Sequence, residues 1–434
     1  MDNYDKNDLT QGVIWKKLLA FFFPILLGML FQQLYNTVDA IVVGKFVGTD
    51  ALAAVGGSSA AIVSLVIGFF TGLASGATVV ISQHFGARDY ERLSLTVHTA
   101  VTFCLIIGAA LMVLGYVLAP WSLQLVKTPE NIMADSVEYL RIYFSGSIAS
   151  LIFNVGSGIL RAVGDSRRPL YFLIFSACCN IVLDPVLIYG FGMGVRGAAT
   201  ATVISQAVST VWVLSFLTGK KTVLKIRKKY LRMEAGVVLP GLALGLAPFI
   251  MQASESVITV CFNASLLKYG GDVAVGAMTI LSSAMQFSML PMQGLGQGAQ
   301  PITSYNYGAR NADRVKKTFR LLLTTSLCYS MAVWLLIMLF PQVFAMIFSS
   351  NAELIAYTKW ALRIYCAAMG IFGAQIACQM TFISIGNAGA SIIVAVMRKF
   401  VLLLPLIYLL PHLVKNQTMG VYLAEPAADV IAVS

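Results

Sequence analysis

Within the apolar stretch "FQQLYNTVDAIVVGKFVG", Phe31 to Gly48, the polar residues Gln32, Asn36 and Asp39 recur at i, i+4 and i+7, with Tyr35 beside them. That spacing puts them on one face of a helix. A second carboxylate stands in "NIVLDP", where Asn180 and Asp184 are four residues apart and Pro185 follows at once; Thr202 and Gln206 repeat the four-residue spacing. Proline has no amide hydrogen, so it frees a backbone carbonyl and loosens the helix beside the aspartate. Two carboxylates, an amide oxygen and a hydroxyl (Asp39, Asp184, Asn180 and Thr202) form an oxygen-rich set of the kind a hard cation prefers. A charge at the centre of a membrane span costs about 2.5 to 3.5 kcal/mol, so such carboxylates face protein or water and mark an ion path by default.

The elements that carry these residues are membrane spans. The chain has 434 residues, 58% of them hydrophobic and only 11% charged, too few charges to cover a water-facing surface. Segments of the ~20 apolar residues a bilayer demands recur along the whole chain. The pattern predicts an all-α membrane protein with eleven complete spans, from 14–44 to 391–411, and a twelfth that starts near Gly420. At about 1.5 Å per residue the run from Gly420 to Ser434 is too short to cross, so the last helix is expected to be truncated in this sequence. The first span, behind Lys16 and Lys17, is too long for a signal-peptide core and is read as a retained helix.

The net charge of +11 is concentrated in the N-terminal tail and the even-numbered loops, which predicts a cytoplasmic N-terminus in a plasma membrane. The densest run, "GKKTVLKIRKKYLR" from Gly219 to Arg232, reads as a topology anchor near anionic lipid headgroups, not as a nucleic-acid arm. The seven cysteines lie in apolar spans without a CxxC pattern, and the three histidines share no ligand spacing, so no metal of the transition type is expected.

The chain also repeats itself. "SQHFGARDYERL" from Ser82 is echoed by "SYNYGARNADRV" from Ser304, and the same offset carries Asp50 to Asp272 and Gly164-Asp165 to Gly386-Asn387. Three matches at one offset predict an internal repeat. Six spans per repeat is an even number, so both halves enter the membrane in the same sense. The organisation expected is an N-terminal lobe 1–218, a basic linker 219–235 and a C-terminal lobe 236–434, with a substrate path between lobes that rock in alternating access.

The ordered set "FGAR" and "YGAR", "VGDSRRP", "NIVLDPVLI" and "GVRGAATAT" resembles the multidrug and toxic compound extrusion (MATE) family, over nearly the whole chain from Pro24 to Asp429. The resemblance implies a twelve-helix transporter of two six-helix lobes that exports organic compounds, often cationic, in exchange for inward sodium ions or protons. It also implies a cation site in the N-terminal lobe made by Asp39, Asn180, Asp184 and Thr202. Part of the family pairs an acid of span seven with one of span ten. Here span seven has Glu255, beside Gln252, while span ten offers Gln375 and Gln379 but no carboxylate. Glu255 is therefore expected to face substrate, together with Gln252, Gln32, Tyr35, Asn36 and Gln206. Arg398 either pairs with an acid or snorkels.

The expected function is a secondary antiporter of small organic, amphipathic compounds. It needs no cofactor beyond the coupling proton or sodium ion, and works as a monomer among membrane lipids. A carboxylate out of water resists carrying charge, and either ion relieves it; Pro24, about four turns before Asp39, is the candidate hinge. A flippase for a lipid-linked saccharide is the alternative, though such relatives commonly carry a basic cavity. An intramembrane enzyme lacks a clustered nucleophile, metal or acid–base set, and no Walker motif supports ATP hydrolysis.

Overall fold

A computed structural model describes residues 8–219, 224, 226, 231, 233–348 and 350–433, and among them all regular structure is helical. The helices are α1 (Ile14–Phe46), α2 (Thr49–Gly56), α3 (Ser58–Gly86), α4 (Tyr90–Leu125), α5 (Glu130–Ser145), α6 (Ser147–Ala162), α7 (Arg167–Pro185) and α8 (Val195–Thr218). They continue with α9 (Ala235–Gly308), α10 (Ala312–Leu339), α11 (Pro341–Phe348), α12 (Ala352–Tyr365), α13 (Met369–Ser384), α14 (Ala388–Val396), α15 (Leu404–Leu413) and α16 (Gln417–Val433). Among the described residues eight helices are long and apolar enough to cross a membrane, and ten are if the bent pairs α5–α6 and α12–α13 each count as one span. The stretch α9 is two helices that meet at a kink at Gly271, whose φ of 68° is left-handed, which glycine adopts without a Cβ penalty. Counting its two parts and the 17-residue α16 gives twelve spans, eleven long ones and a shorter last one. The basic run from Gly219 to Arg232 falls largely outside the described residues.

The repeat in the sequence is written into the backbone. Arg88 and Arg310, the arginines of the two "GAR" loops, both have left-handed φ, at 57° and 56°, as do Gly164 (92°) and Gly386 (84°). Asp165 Oδ1 accepts from Arg168 N at 3.2 Å and Asn387 Oδ1 accepts from Ala390 N at 3.0 Å, so the corresponding loops end in the same side-chain cap. The bent pairs correspond too, α5–α6 at 51° and α12–α13 at 50°.

The chain divides into two compact units. The first holds Met1–Val13, Leu19–Phe249 and Ser304–Asn311; the second holds Ile14–Leu18, Ile250–Thr303 and Ala312–Ser434. The start of α9, to Phe249, thus belongs with the first unit and not with the residues that follow it. The physical reason is close backbone approach: a Cβ at Gly72 or Gly76 of α3 would run into the carbonyl of Gly245 or Gly241 of α9. Two small-xxx-small pairs let these helices meet where no larger side chain would fit.

Each unit has its own core. In the first, Val43, Ala51, Leu123, Leu140, Ile188 and Ala199 are packed together; in the second, Phe262, Leu266, Leu281, Leu362, Leu403 and Tyr422 are. Two stretches depart from α geometry. Directly after Pro185 the chain passes into a π segment, Val186–Gly190, as expected where proline removes a hydrogen bond. A second π segment, Met397–Leu403, joins α14 to α15 and buries both Arg398 and Lys399.

Candidate cation site and cavity

In the first unit the chemistry gathers where α1, α5, α7 and α8 face one another. Asp184, on the last turn of α7 before Pro185, is fully buried, and Asn180 one turn earlier is nearly so. Asn180 Nδ2 donates to Asp184 Oδ1 at 3.4 Å and to Thr202 Oγ1 of α8 at 3.3 Å, and the Thr202 hydroxyl donates to the Ala198 carbonyl at 3.1 Å. Asp39, half-buried on α1, brings its carboxyl within hydrogen-bonding reach of the Asp184 carboxyl. Asp39 Oδ1, Asp184 Oδ2 and Asn180 Oδ1 are buried and find no donor among the described residues. The six ion pairs among the described residues involve neither aspartate.

That arrangement is chemically incomplete. Two carboxylates in contact repel strongly out of water, and the pair becomes stable only when a proton is shared between them or a cation sits on them. Three unsatisfied oxygens and the Thr202 hydroxyl, held on three helices, supply the donors for such an ion.

Beside this pair lies a cavity of about 70 Å³, lined by Gln32 and Tyr35 of α1, Phe153 and Asn154 of α6, and Leu173, Ser176, Asn180, Thr202, Ser205 and Gln206 of α7 and α8. Asn180 and Thr202 are thus common to the cavity wall and the carboxylate network. The Tyr35 and Gln32 side chains lie within hydrogen-bonding reach of each other. Gln206 accepts from the Ser150 hydroxyl, and Asn154 Nδ2 donates to the Ser150 carbonyl at 2.8 Å. Asn36, on the same α1 stripe in sequence, is exposed and does not line this cavity. Pro24 lies inside α1, which continues unbroken through it.

Residues that spacing alone did not single out also reach the pair. Tyr139 of α5 is buried, stacks on Tyr143 with ring centroids 6.4 Å apart, and lies within electrostatic reach of Asp39 and Asp184. The i, i+4 pair of tyrosines in "EYLRIYF" was the available signal, but an aromatic pair in a span reads more simply as packing.

In the second unit Gln252 and Glu255 of α9 are both exposed. Lys399 Nζ donates to Glu255 Oε1 at 2.5 Å. Arg398 does not snorkel: its Nε donates to Asp429 Oδ1 at 2.7 Å and its Nη2 to Glu425 Oε1 at 2.8 Å, with the guanidinium over the Phe372 ring at 4.6 Å. Among the described residues no group of three or more His, Cys, Asp or Glu is arranged to hold a metal ion in the manner of a metalloprotein.

The MatE family model matches residues 24–186 and 248–409, one segment in each half. Over 430 residues the chain is 28% identical to the probable multidrug resistance protein YoeA of Bacillus subtilis (strain 168), covering 98% of this chain and 92% of that protein. It is 23% identical over 440 residues to an FAD transporter of Shewanella oneidensis, covering 98% and 94% of the two. Among solved structures it is similar to a MATE in the bent conformation, with a TM-score of 0.92 and 26% identity over 98% of this chain and 94% of the other.

Proposed function

This chain belongs to the MatE family of multidrug efflux transporters and is not an enzyme, and we propose that it is a secondary antiporter that exports organic cations in exchange for inward protons or sodium ions. The observation that carries this reading is the sharing of groups between the carboxylate pair and the cavity. Asn180 and Thr202 belong to both, and α1 brings Asp39 to the pair and Gln32 and Tyr35 to the cavity wall. Binding an ion at Asp39 and Asp184 pulls on the same helix that shapes this cavity, which at about 70 Å³ has to widen before it admits an organic cargo.

The coupling follows from electrostatics and mechanics together. With both carboxyls charged, their repulsion drives α1 and α7 apart, and a shared proton or a sodium ion lets them stay as close as the structure has them. Pro24 lies 15 positions before Asp39 on α1, and the absent amide hydrogen at proline is where such a helix bends most easily. A bend there displaces Gln32 and Tyr35 and changes the cavity, so ion and cargo are linked reciprocally. The conformational change is an exchange of access between two lobes, 1–218 and 236–434, with the N-terminus on the cytoplasmic side.

A lipid-linked saccharide is disfavoured as cargo. Its pyrophosphate wants basic side chains, and no lysine, arginine or histidine is among the residues lining this cavity.

The experiment is transport in proteoliposomes with a sodium gradient and a pH gradient imposed separately, following efflux of a fluorescent organic cation. Uptake or release driven by one gradient and abolished by its collapse supports antiport; movement indifferent to both gradients contradicts it.

A further inference from the structure

The second unit gathers five ionisable side chains from three segments: Glu255 on α9, Arg398 and Lys399 on the π segment, and Glu425 and Asp429 on α16. Consecutive residues of an α-helix point about 100° apart, and the wider π turn is what lets two adjacent cations both be buried. Arg398 is spent entirely on the two α16 carboxylates; all three side chains are at most 6% exposed. Lys399 is equally buried, at 4%, but its acceptor Glu255 is 56% exposed.

Three carboxylates against two cations leave the cluster one positive charge short. The shortfall sits on α16, where Glu425 and Asp429 share a single guanidinium. Lys399 lies within electrostatic reach of Glu425. A further vacancy in the pairing lies on α13: Gln375 Oε1 and Gln379 Nε2 are buried and have no hydrogen-bond partner among the described residues. Gln375 is one turn on from Phe372, whose ring carries Arg398, so its unused acceptor is on the face that meets this cluster.

We propose that Lys399 is an internal stand-in for the ammonium group of the transported compound. A substrate bearing one protonated amine reaches Glu255 first, because Glu255 is at the surface and Lys399 is behind it. The amine takes the carboxylate, and Lys399 swings on its flexible stem toward the under-neutralised Glu425 and Asp429. After the exchange three cations match three carboxylates. A charged carboxylate that faces neither protein nor water is costly in a membrane, so the exposed Glu255 looks into an aqueous path that substrate can travel. Neutral and anionic compounds have nothing to exchange, which makes Lys399 a specificity-determining residue for monocations. This inference rests on the proposed export of organic cations.

The sign of the Lys399 effect separates this role from a structural one. If the lysine merely props up the fold, its loss weakens binding; if it competes with substrate, its loss strengthens binding. The probes are dansylcadaverine, a fluorescent primary amine, and its neutral N-acetyl derivative, with binding to the full-length detergent-purified protein read by dansyl fluorescence. Lys399→Gln is expected to bind the amine about tenfold more tightly and the acetylated probe unchanged. Glu255→Gln should bind the amine about tenfold more weakly, and the double variant should match Glu255→Gln. Lys399→Arg, which keeps the charge, should stay near wild type, and thermal unfolding of each variant confirms that it is folded. Weaker or unaltered amine binding by folded Lys399→Gln overturns the exchange. Absence of amine binding by wild type and every variant would instead overturn the organic-cation reading on which it stands.

Discussion

The carboxyls of Asp39 and Asp184, carried by the first and the fifth spans, lie within hydrogen-bonding reach of each other, and neither is ion-paired among the described residues. Charges of one sign brought together in a helical bundle need a countercharge that the bundle does not provide. This proximity is what the proposed antiport rests on: the pair is the proposed seat of the coupling ion, and Asn180 and Thr202, which also line the neighbouring cavity, are the proposed link to it.

Tyr139 lies within electrostatic reach of both aspartates and touches no substrate in the proposed scheme. Tyr139→Phe keeps the packing and removes a polar hydroxyl from within electrostatic reach of the carboxyl pair, so the apparent affinity for the coupling ion should change by up to about tenfold, the worth of about one pKa unit of differential interaction. The readout is the ion concentration at half-maximal efflux; an unchanged value would make the tyrosine packing alone.

Arg398 is the countercharge that holds α16 to the π segment. Arg398→Leu removes the only cation hydrogen-bonded to buried Glu425 and Asp429 among the described residues and should destabilise the protein by about 3 to 5 kcal/mol, with Arg398→Lys intermediate because it loses the forked geometry. Thermal unfolding in detergent measures this, and a wild-type midpoint for Arg398→Leu would mean the pairing is not structural.

Gly373 of α13 sits against the backbone carbonyl of Ser326 in α10, where an added Cβ has no room. Gly373→Val should cost about 1 to 3 kcal/mol through forced separation of the two helices. A midpoint equal to wild type would show that the helices part freely there.

How far the sequence reaches is clear from individual residues. The spacing of Asn180 to Asp184 is local, and helical geometry alone places both on one face. The matched "GAR" and Gly-Asp/Gly-Asn loops were legible because a left-handed turn and its cap are short-range features. The pairing of Lys399 with Glu255 was not legible, since the partners are 144 positions apart and nothing in local periodicity links them. The bends at Gly146 and at Cys366–Ala368 were equally hidden, because no proline marks them and each segment reads as one uninterrupted apolar run. The change of unit within α9 depends on glycine contacts with α3, which are tertiary and have no local signature.

The basic run from Gly219 to Arg232 predicts sidedness. Single cysteines placed there should react with a membrane-impermeant maleimide only when the cytoplasmic face is open, as in inverted vesicles. Labelling in intact cells would reverse the topology and with it the inward direction assigned to the ion.

The most direct test of the central claim is gradient-driven efflux of a fluorescent organic cation by wild type, Asp39→Asn, Asp184→Asn and the double variant, with purified yield and thermal unfolding as controls. Each single substitution keeps the size of the side chain and removes one of the two charges that an ion must neutralise. Each single variant is expected to fold normally and lose coupled efflux, with the double variant little worse than either, because groups acting on one bound ion do not add. Near-normal, gradient-dependent efflux in Asp39→Asn or Asp184→Asn would contradict it.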